Sequence, residues 1–538
     1  MIIMRRTYSI LILLTLLLHG SRAEAWSTIS VKLHVAQPVL VTGEDLWFDG
    51  SVGPEAKEAR FVHIHLLNRN GVIKAEAVVQ AREGSFQGYL EMPSGLVSDY
   101  YFLDATVKGY ATQVTLVPLM VINPQYPPLA CPSTLATGDK LINAPGILST
   151  DKTVYNVRDK ANLQITPFPE GMTAAIYVSR ADVLSDLLES VSTSFHLVRH
   201  HPARGEKELE GHTLSVKLWP SGATDSVNGV RVVAALLGGQ ALVSSAITDD
   251  QGKARLILPT STGERSVVLS VVQRKGQNVR LELEEDTLKA EPIAFSCLRL
   301  EESMRAAIET RLMNFRLAKE YHPYEVRQFQ FEDADTSDFY GKPDKRYLLD
   351  DYVRFPNMQE ILEEFVPEVR VRGAKDPQPE LQILNLPTKF FFNENGLILL
   401  DGIPVQNTRE LMDMNPLLLE SIDVMNRRYF LGDWELNGVI QYKSYKRDLA
   451  GFTLSPGQLL YPFKGIQEKA LPANPEPGKN NRLPDGGNLL FRELQVDITK
   501  EMKMSFYTTD AAGDYWIRVV ATGKNGEEQE FRKKITVK

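Results

Sequence analysis

Cysteine is almost missing from this chain: Cys131 and Cys297 are the only two in 538 residues. Two thiols are too few for a disulfide scaffold. An exported compartment would let them pair, and the alternative is two buried thiols. A basic excess is also missing. Lys plus Arg at 60 against Asp plus Glu at 68 leaves a net charge of −8, so nothing points to a nucleic-acid partner. Beyond the N-terminus no segment is apolar enough to span a bilayer, for which ~20 residues are needed. The short catalytic signatures are absent as well. There is no Gly-x-Ser-x-Gly elbow, no phosphate-cradling Gly-rich loop ending in Lys and no EF-hand spacing. The five Trp residues are dispersed, which argues against an aromatic platform for a glycan.

What is present begins with an address. Arg5 and Arg6 precede an apolar run from Ile10 to Leu18, and Ala23-Glu24-Ala25 offers a small-x-small cleavage site before Trp26. Export with cleavage is the expectation, with residues 1–25 as the leader, because the run is too short for an anchor. No cysteine follows the cleavage site to carry a lipid. The mature chain is expected in the periplasm or held at the outer membrane by a protein partner. With 43% hydrophobic and 24% charged residues it has material for several cores.

The stretch from Tyr347 to Tyr445 organises the rest. Met358, Ile361, Leu362 and Phe365 recur at the spacing of one helix face, Asn357 and Glu360 read as a capping box, and Pro367 stops the helix. PTKFFFNENGLILLDGIPV then reads as a hairpin turning at Asn393, Glu394, Asn395 and Gly396. A further helix, a strand at 421–426, a glycine-bearing loop and a strand at 438–443 follow. "LLDGIPV" at Leu399–Val405, "SIDVMNRRY" at Ser421–Tyr429 and "GVIQYKS" at Gly438–Ser444 resemble, in that order, motifs of the plug domain of TonB-dependent outer-membrane receptors. A closed barrel of ~22 strands needs several hundred residues. Fewer than that follow Ser444, so a plug-like unit without its own barrel is expected.

The remainder reads as β-structure. Residues 26–123 alternate short Val/Ile/Leu/aromatic runs with glycine turns, the spacing of a sandwich. HVAQPVLVTGEDLWFDGSV at His34–Val52 resembles the opening of the macroglobulin-like domains of the alpha-2-macroglobulin group, with Trp47 read as core. ILSTDKTVYNVRDKANLQITPFP at Ile147–Pro169 looks like a second start, giving a second macroglobulin-like segment at 145–210. A small β-sandwich at 211–290 and a helical, polar linker at 291–346, with a helix at Leu300–Tyr321, lead to the plug-like unit at 347–447. Residues 448–538 form a C-terminal β domain carrying a proline-rich loop from Leu459 to Leu489. The fold class is therefore mostly β and multi-domain: tandem macroglobulin/Ig-like sandwiches, an α+β plug-like domain and a C-terminal β domain. The whole resembles Bacteroidota-type exported envelope proteins that combine these parts, a family for which the resemblance supplies no chemistry.

A search for chemistry yields little. The macroglobulin thioester needs a Cys-Gly-Glu-Gln run, and neither cysteine is followed by one. His63 and His65 share one face of an expected strand, and His200 and His201 are adjacent in a polar loop. Such a face could hold a metal given a third ligand, but two partly exposed strand histidines are the plainer reading. Glu301-Glu302 and Glu363-Glu364 are helix neighbours pointing about 100° apart, so neither pair can flank a substrate. No catalytic, cofactor or metal residue is expected. The candidate contact residues are Arg427, Arg428, Tyr429, Phe430 and Trp434, since arginine and aromatics in a loop mark protein interfaces. The alternative is that these aromatics fold back on their own sheet. The expectation is a non-enzymatic envelope scaffold or accessory subunit docking on an outer-membrane or periplasmic protein, its oligomeric state open. The alternative is a protein that binds a nutrient, peptide or glycan directly.

Overall fold

The computed structural model describes residues 28–129, 147–168, 172–192, 197–203, 205, 207–222, 225–272, 279–284, 291–321, 327–329, 337–394, 396–472, 483–523 and 527–538. The expected leader and Cys131 lie outside these residues. The architecture is mostly β and multi-domain.

The first sandwich follows from period-2 alternation. Along Thr28–Val35, residues Ile29, Val31, Leu33 and Val35 are buried while their neighbours face outward. One layer pairs Thr28–Val35 with Asp45–Val52 and Ala111–Thr115, and Asp45–Val52 in turn with Ser85–Glu91. The other centres on Phe61–Leu67 between Ile73–Arg82 and Asp99–Thr106. The layers meet at a corner where Ala81 and Arg82 pair with Phe86 and Ser85, turned by Glu83 and Gly84 at φ 51° and 81°. Between the layers lie Leu46, Phe48, Val62, Ile64, Leu66 and Leu103, all fully buried. Each such side chain contributes roughly 1.5–3 kcal/mol. Trp47 is buried on the opposite face, with the Arg492 guanidinium 5.4 Å above its ring. Gly50 permits the close pairing of Thr28–Val35 with Asp45–Val52, because a Cβ there would stand 2.1 Å from the Lys32 carbonyl oxygen.

The second sandwich corrects the expectation of separate units at 145–210 and 448–538. Lys160–Ile165 pairs with Met502–Tyr507, and Thr173–Ala181 lies between Leu489–Asp497 and Gly513–Thr522. Thr173–Ala181 is buried along most of its length, so both of its edges need partners. Those partners come from the far end of the chain. The proline-rich loop is corrected too. Leu459–Lys464 is a strand, paired with Glu264–Val272 in the small sandwich whose other layer is Lys253–Leu258, His212–Pro220 and Val279–Glu284.

Helix α1, Val183–Ser192, and helix α2, Arg305–Tyr321, pack beside the first sandwich. Arg311 of α2 is 2% exposed. Its guanidinium reaches Asp182 at 2.7 Å and 3.1 Å, the Val39 carbonyl at 3.1 Å and the Ser185 hydroxyl at 3.0 Å. Cys297, in the segment ahead of α2, is disulfide-bonded.

In the α+β unit, helix α3 is Met358–Phe365. Asn357 Oδ1 accepts from the Glu360 amide at 3.0 Å, and Asn357 Nδ2 donates to the Glu360 carboxylate at 3.0 Å. Met358, Ile361 and Leu362 are buried against a five-stranded sheet. Its order is Lys345–Leu348, Leu419–Met425, Val439–Ser444, Leu397–Leu400, Ile403–Pro404. Helix α4, Thr408–Asp413, is capped by Asn407. The hairpin expected at 393–396 does not form. Phe390–Phe391 folds back on Glu380–Asn385, and Leu397–Leu400 runs parallel to Val439–Ser444. All four residues of Leu397–Leu400 are buried, so the run takes an interior sheet position that a solvent-facing hairpin could not supply.

Candidate contact surface and polar cleft

Two places combine chemistry-bearing side chains in ways the fold alone does not require. The first is the hairpin formed by Tyr429–Leu431 and Trp434–Leu436, turned at Gly432, whose φ is 61°. Strand alternation sorts its residues. Tyr429, Leu431, Trp434 and Leu436 face the core of the α+β unit, and Phe430 pairs with Glu435 on the outer face. Tyr429 donates its hydroxyl to the Phe339 carbonyl at 2.7 Å and meets the Phe339 ring edge-on. Trp434 lies under the Arg231 guanidinium at 5.4 Å, and Arg231 also holds Asp433 at 2.9 Å. That hydrogen bond keeps the Asp433 carboxyl below its usual range. The hairpin thereby ties the α+β unit to the small sandwich.

Of the five residues singled out as contacts, Tyr429 and Trp434 are half-buried against the unit's own core. Arg427, Arg428 and Phe430 remain at the surface. Arg427 stands 3.5 Å from Asp344 and Arg428 2.9 Å from Glu435. The tertiary structure adds residues that sequence reasoning missed. The Leu386 amide bonds the Asn426 carbonyl at 3.0 Å, which sets the turn before Phe390–Phe391 beside the start of the hairpin. Phe390 is 76% exposed, Phe430 61% and Leu386 56%. Lys389 sits among them and has no carboxylate partner among the described residues. The FFF run was the available signal, but only pairing decides which ring points out.

The second place is a cleft of about 1000 Å³ between the first and small sandwiches, lined by His63, His65, His201, His212, Lys108 and Glu208 among others. His63 and His65 do share a strand face, as expected, but Glu208 and His201 stand against that face. His63 Nε2 is 2.9 Å from Glu208, and His201 Nε2 is 3.0 Å from Asp104, the register partner of His65. His200 is exposed and takes no part. His212 stacks on Phe61 at 4.3 Å. Glu208 accepts from the Thr213 amide at 2.9 Å and from Lys108 at 3.3 Å. Burial would raise its pKa, but His212, His63 and Lys108 outweigh burial and hold it far below the usual range. Burial and the neighbouring His63 and His201 lower the His65 ring to about 4, against the opposing pull of Asp104. His65 Nδ1 and His212 Nε2 are buried without a partner. No group of His, Cys, Asp or Glu among the described residues is arranged to hold a metal ion.

No family model matches the chain, and no curated protein matches it. Among solved structures it is similar to Salmonella alpha-2-macroglobulin reacted with methylamine, at 8% identity and a TM-score of 0.22, covering 95% of this chain and 40% of that one. It is similar to the native conformation of Escherichia coli alpha-2-macroglobulin at 8% identity and a TM-score of 0.22, covering 97% and 40%. The chain spans about two fifths of the length of these proteins. A likeness of this extent carries no argument about activity.

What the two places can do follows from their own groups. The cleft sets His63, His201 and Lys108 against the carboxylates of Glu208 and Asp104, the chemistry of a polar junction, and leaves His65 Nδ1 and His212 Nε2 without partners. The aromatic patch exposes rings with cations beside them, which is the composition of a protein contact.

Proposed function

We propose that this chain is a non-enzymatic exported protein of the cell envelope, an accessory or scaffold subunit whose α+β unit docks on an outer-membrane or periplasmic protein. The observation that carries the reading is the patch of Leu386, Phe390 and Phe430, exposed beside Lys389, Arg427 and Arg428. Burying rings of this size against water-free surface is worth on the order of 25 cal/mol per Å², while leaving them in water stabilises nothing. The sandwiches act as spacers, consistent with their mutually buried junctions. This reading uses two expectations from the sequence: the plug-like character of residues 347–447, which is a resemblance, and the leader at 1–25, which rests on its basic, apolar and small-residue pattern.

The test is a pull-down of the tagged mature chain from gently solubilised native envelope, beside the variant Phe390→Asp/Phe430→Asp. A stoichiometric envelope protein retained by the parent chain and lost from the variant supports docking. Both substitutions are at exposed positions, so the variant is expected to fold. A parent chain that elutes alone sinks the docking reading and favours the alternative of direct binding of a nutrient, peptide or glycan. The cleft with its two unpartnered histidine nitrogens is the observation behind that second reading.

A further inference from the structure

The sheet of the α+β unit has two outer strands with different fates. Ile403–Pro404 is packed against the small sandwich, where the Gly238 amide bonds the Asp401 carbonyl at 3.2 Å. Lys345–Leu348 at the other side pairs with Leu419–Met425 through one edge, and no backbone group among the described residues bonds its outer edge. A row of unmet amides and carbonyls is a template for another strand. Native edges are often shielded by a covering loop or helix; here Lys345, Arg346 and Leu348 are exposed and Tyr347 is half-buried.

Both ends of that edge carry unpartnered chemistry. At its start, the Asn426 amide bonds Asp344 at 3.1 Å, which places the edge beside Arg427 and the aromatic patch. Lys342 and Lys345 are without carboxylate partners among the described residues. At its end an apolar cluster is exposed: Val353 at 74%, Leu417 at 62%, Tyr445 at 49% and Leu348 at 46%. Arg354 gathers this cluster, donating to the Pro416 carbonyl at 2.5 Å and to the Tyr445 hydroxyl at 3.0 Å. The Tyr445 amide reaches the Leu418 carbonyl at 3.3 Å. Asp344 at the first end is held by Arg427, which leaves Lys342 and Lys345 as the free charges there, and Asp350 at the other is held by Arg354 and Tyr445 beside the aliphatic groups, so the edge has a polarity that a complementary segment must match.

We propose that the outer edge of Lys345–Leu348 accepts an extended segment of a partner protein as an added strand, with carboxylates lying against Lys342 and Lys345 and aliphatic side chains against Leu348, Val353 and Leu417. Main-chain hydrogen bonds supply the affinity in such a mode, and the flanking side chains supply the choice of segment. Lysines on an edge commonly serve to repel other strands. Here they stand at one end only, beside an aliphatic cluster that offers area to bury, so they select acidic segments instead of excluding all. This rests on the reading of the α+β unit as the docking unit and names the chemistry of what docks.

The test uses the full mature chain and a fluorescein-labelled ten-residue peptide, acidic in one half and alternating Val with Thr in the other. Its twin carries Lys at every acidic position. The expected result is saturable binding of the acidic peptide, at least tenfold weaker for the twin and for the variant Lys342→Glu/Lys345→Glu. Hydrogen exchange at the amides of 345–348 should slow in the complex. No saturable binding, equal binding of the twin, or slowed exchange confined to other strands overturns the proposal. Because the envelope pull-down responds to Phe390 and Phe430, docking through the aromatic face can stand when strand addition fails.

Discussion

The junction of the first and second sandwiches predicts a specific pH dependence of stability. His34, on Thr28–Val35, lies 3.1 Å from Glu528 and 3.5 Å from Asp49. Glu528 begins the last strand of the chain. Burial would lower the ring's pKa, but the hydrogen bonds and charges of Asp49 and Glu528 outweigh it and raise the pKa from 6.5 to about 9. A group whose folded pKa is raised holds its proton more tightly when folded. The stabilisation is therefore fully present below pH 6.5 and is lost as pH rises through about 9. A change from 6.5 to about 9 corresponds to about 3 kcal/mol, and the side chain is 15% exposed, so solvent screening removes little of it. Urea unfolding of the mature chain at intervals from pH 6 to pH 10, followed by tryptophan fluorescence, measures this. His34→Gln cannot take up the proton. The parent should lose stability of that order across the window, and the variant should start lower and stay flatter. Parallel loss in both proteins would refute the assignment.

Two further perturbations address the other junctions. Arg311→Ala removes the closest cation from Asp182 and leaves it Arg180 at 3.8 Å and the donors of Leu184 and Ser185, so stability should fall by about 3 kcal/mol, whereas Arg311→Met with Asp182→Asn, which keeps an acceptor for the α1 amides, should recover part of that loss; chemical denaturation of both variants gives the comparison. Arg231→Ala and Trp434→Ala should each destabilise the contact between the small sandwich and the α+β unit, with a coupling of about 0.5–1 kcal/mol in a double-mutant cycle, and additive effects would show that the stacked pair is not a unit.

Local features were legible from the chain because their causes are local. The α3 cap needs only Asn357 and Glu360 three residues apart, and the α3 core face needs only the 3.6-residue repeat. The helix at Leu300–Tyr321 appeared nearly as expected, as Glu302–Met304 followed by Arg305–Tyr321. The errors share another origin. Leu397–Leu400 read as the second arm of a hairpin with the run before it, yet a run buried on both faces needs two flanking strands, and it pairs with Ile403–Pro404 on one edge and the distant Val439–Ser444 on the other. Leu459–Lys464 read as loop because its own alternation is weak, and the free edge of Glu264–Val272 recruited it. Arg427–Trp434 had the composition of a contact, but composition does not say which face of a short hairpin is inward.

The sequence by itself determined the mostly β, multi-domain character, the scarcity of thiols and the absence of short catalytic motifs, because these depend on residue type and on spacings of a few positions. Only the tertiary structure decided that Lys160–Ile165 and Thr173–Ala181 build one sandwich with Leu489–Asp497, Met502–Tyr507 and Gly513–Thr522, that His63, His65, His201 and His212 line one cleft, and that Phe390 joins Phe430 at the surface. Such pairings join residues tens to hundreds of positions apart. They are chosen by which unsatisfied edges and faces remain once the local elements have formed, a property of the whole chain that no window of its sequence contains.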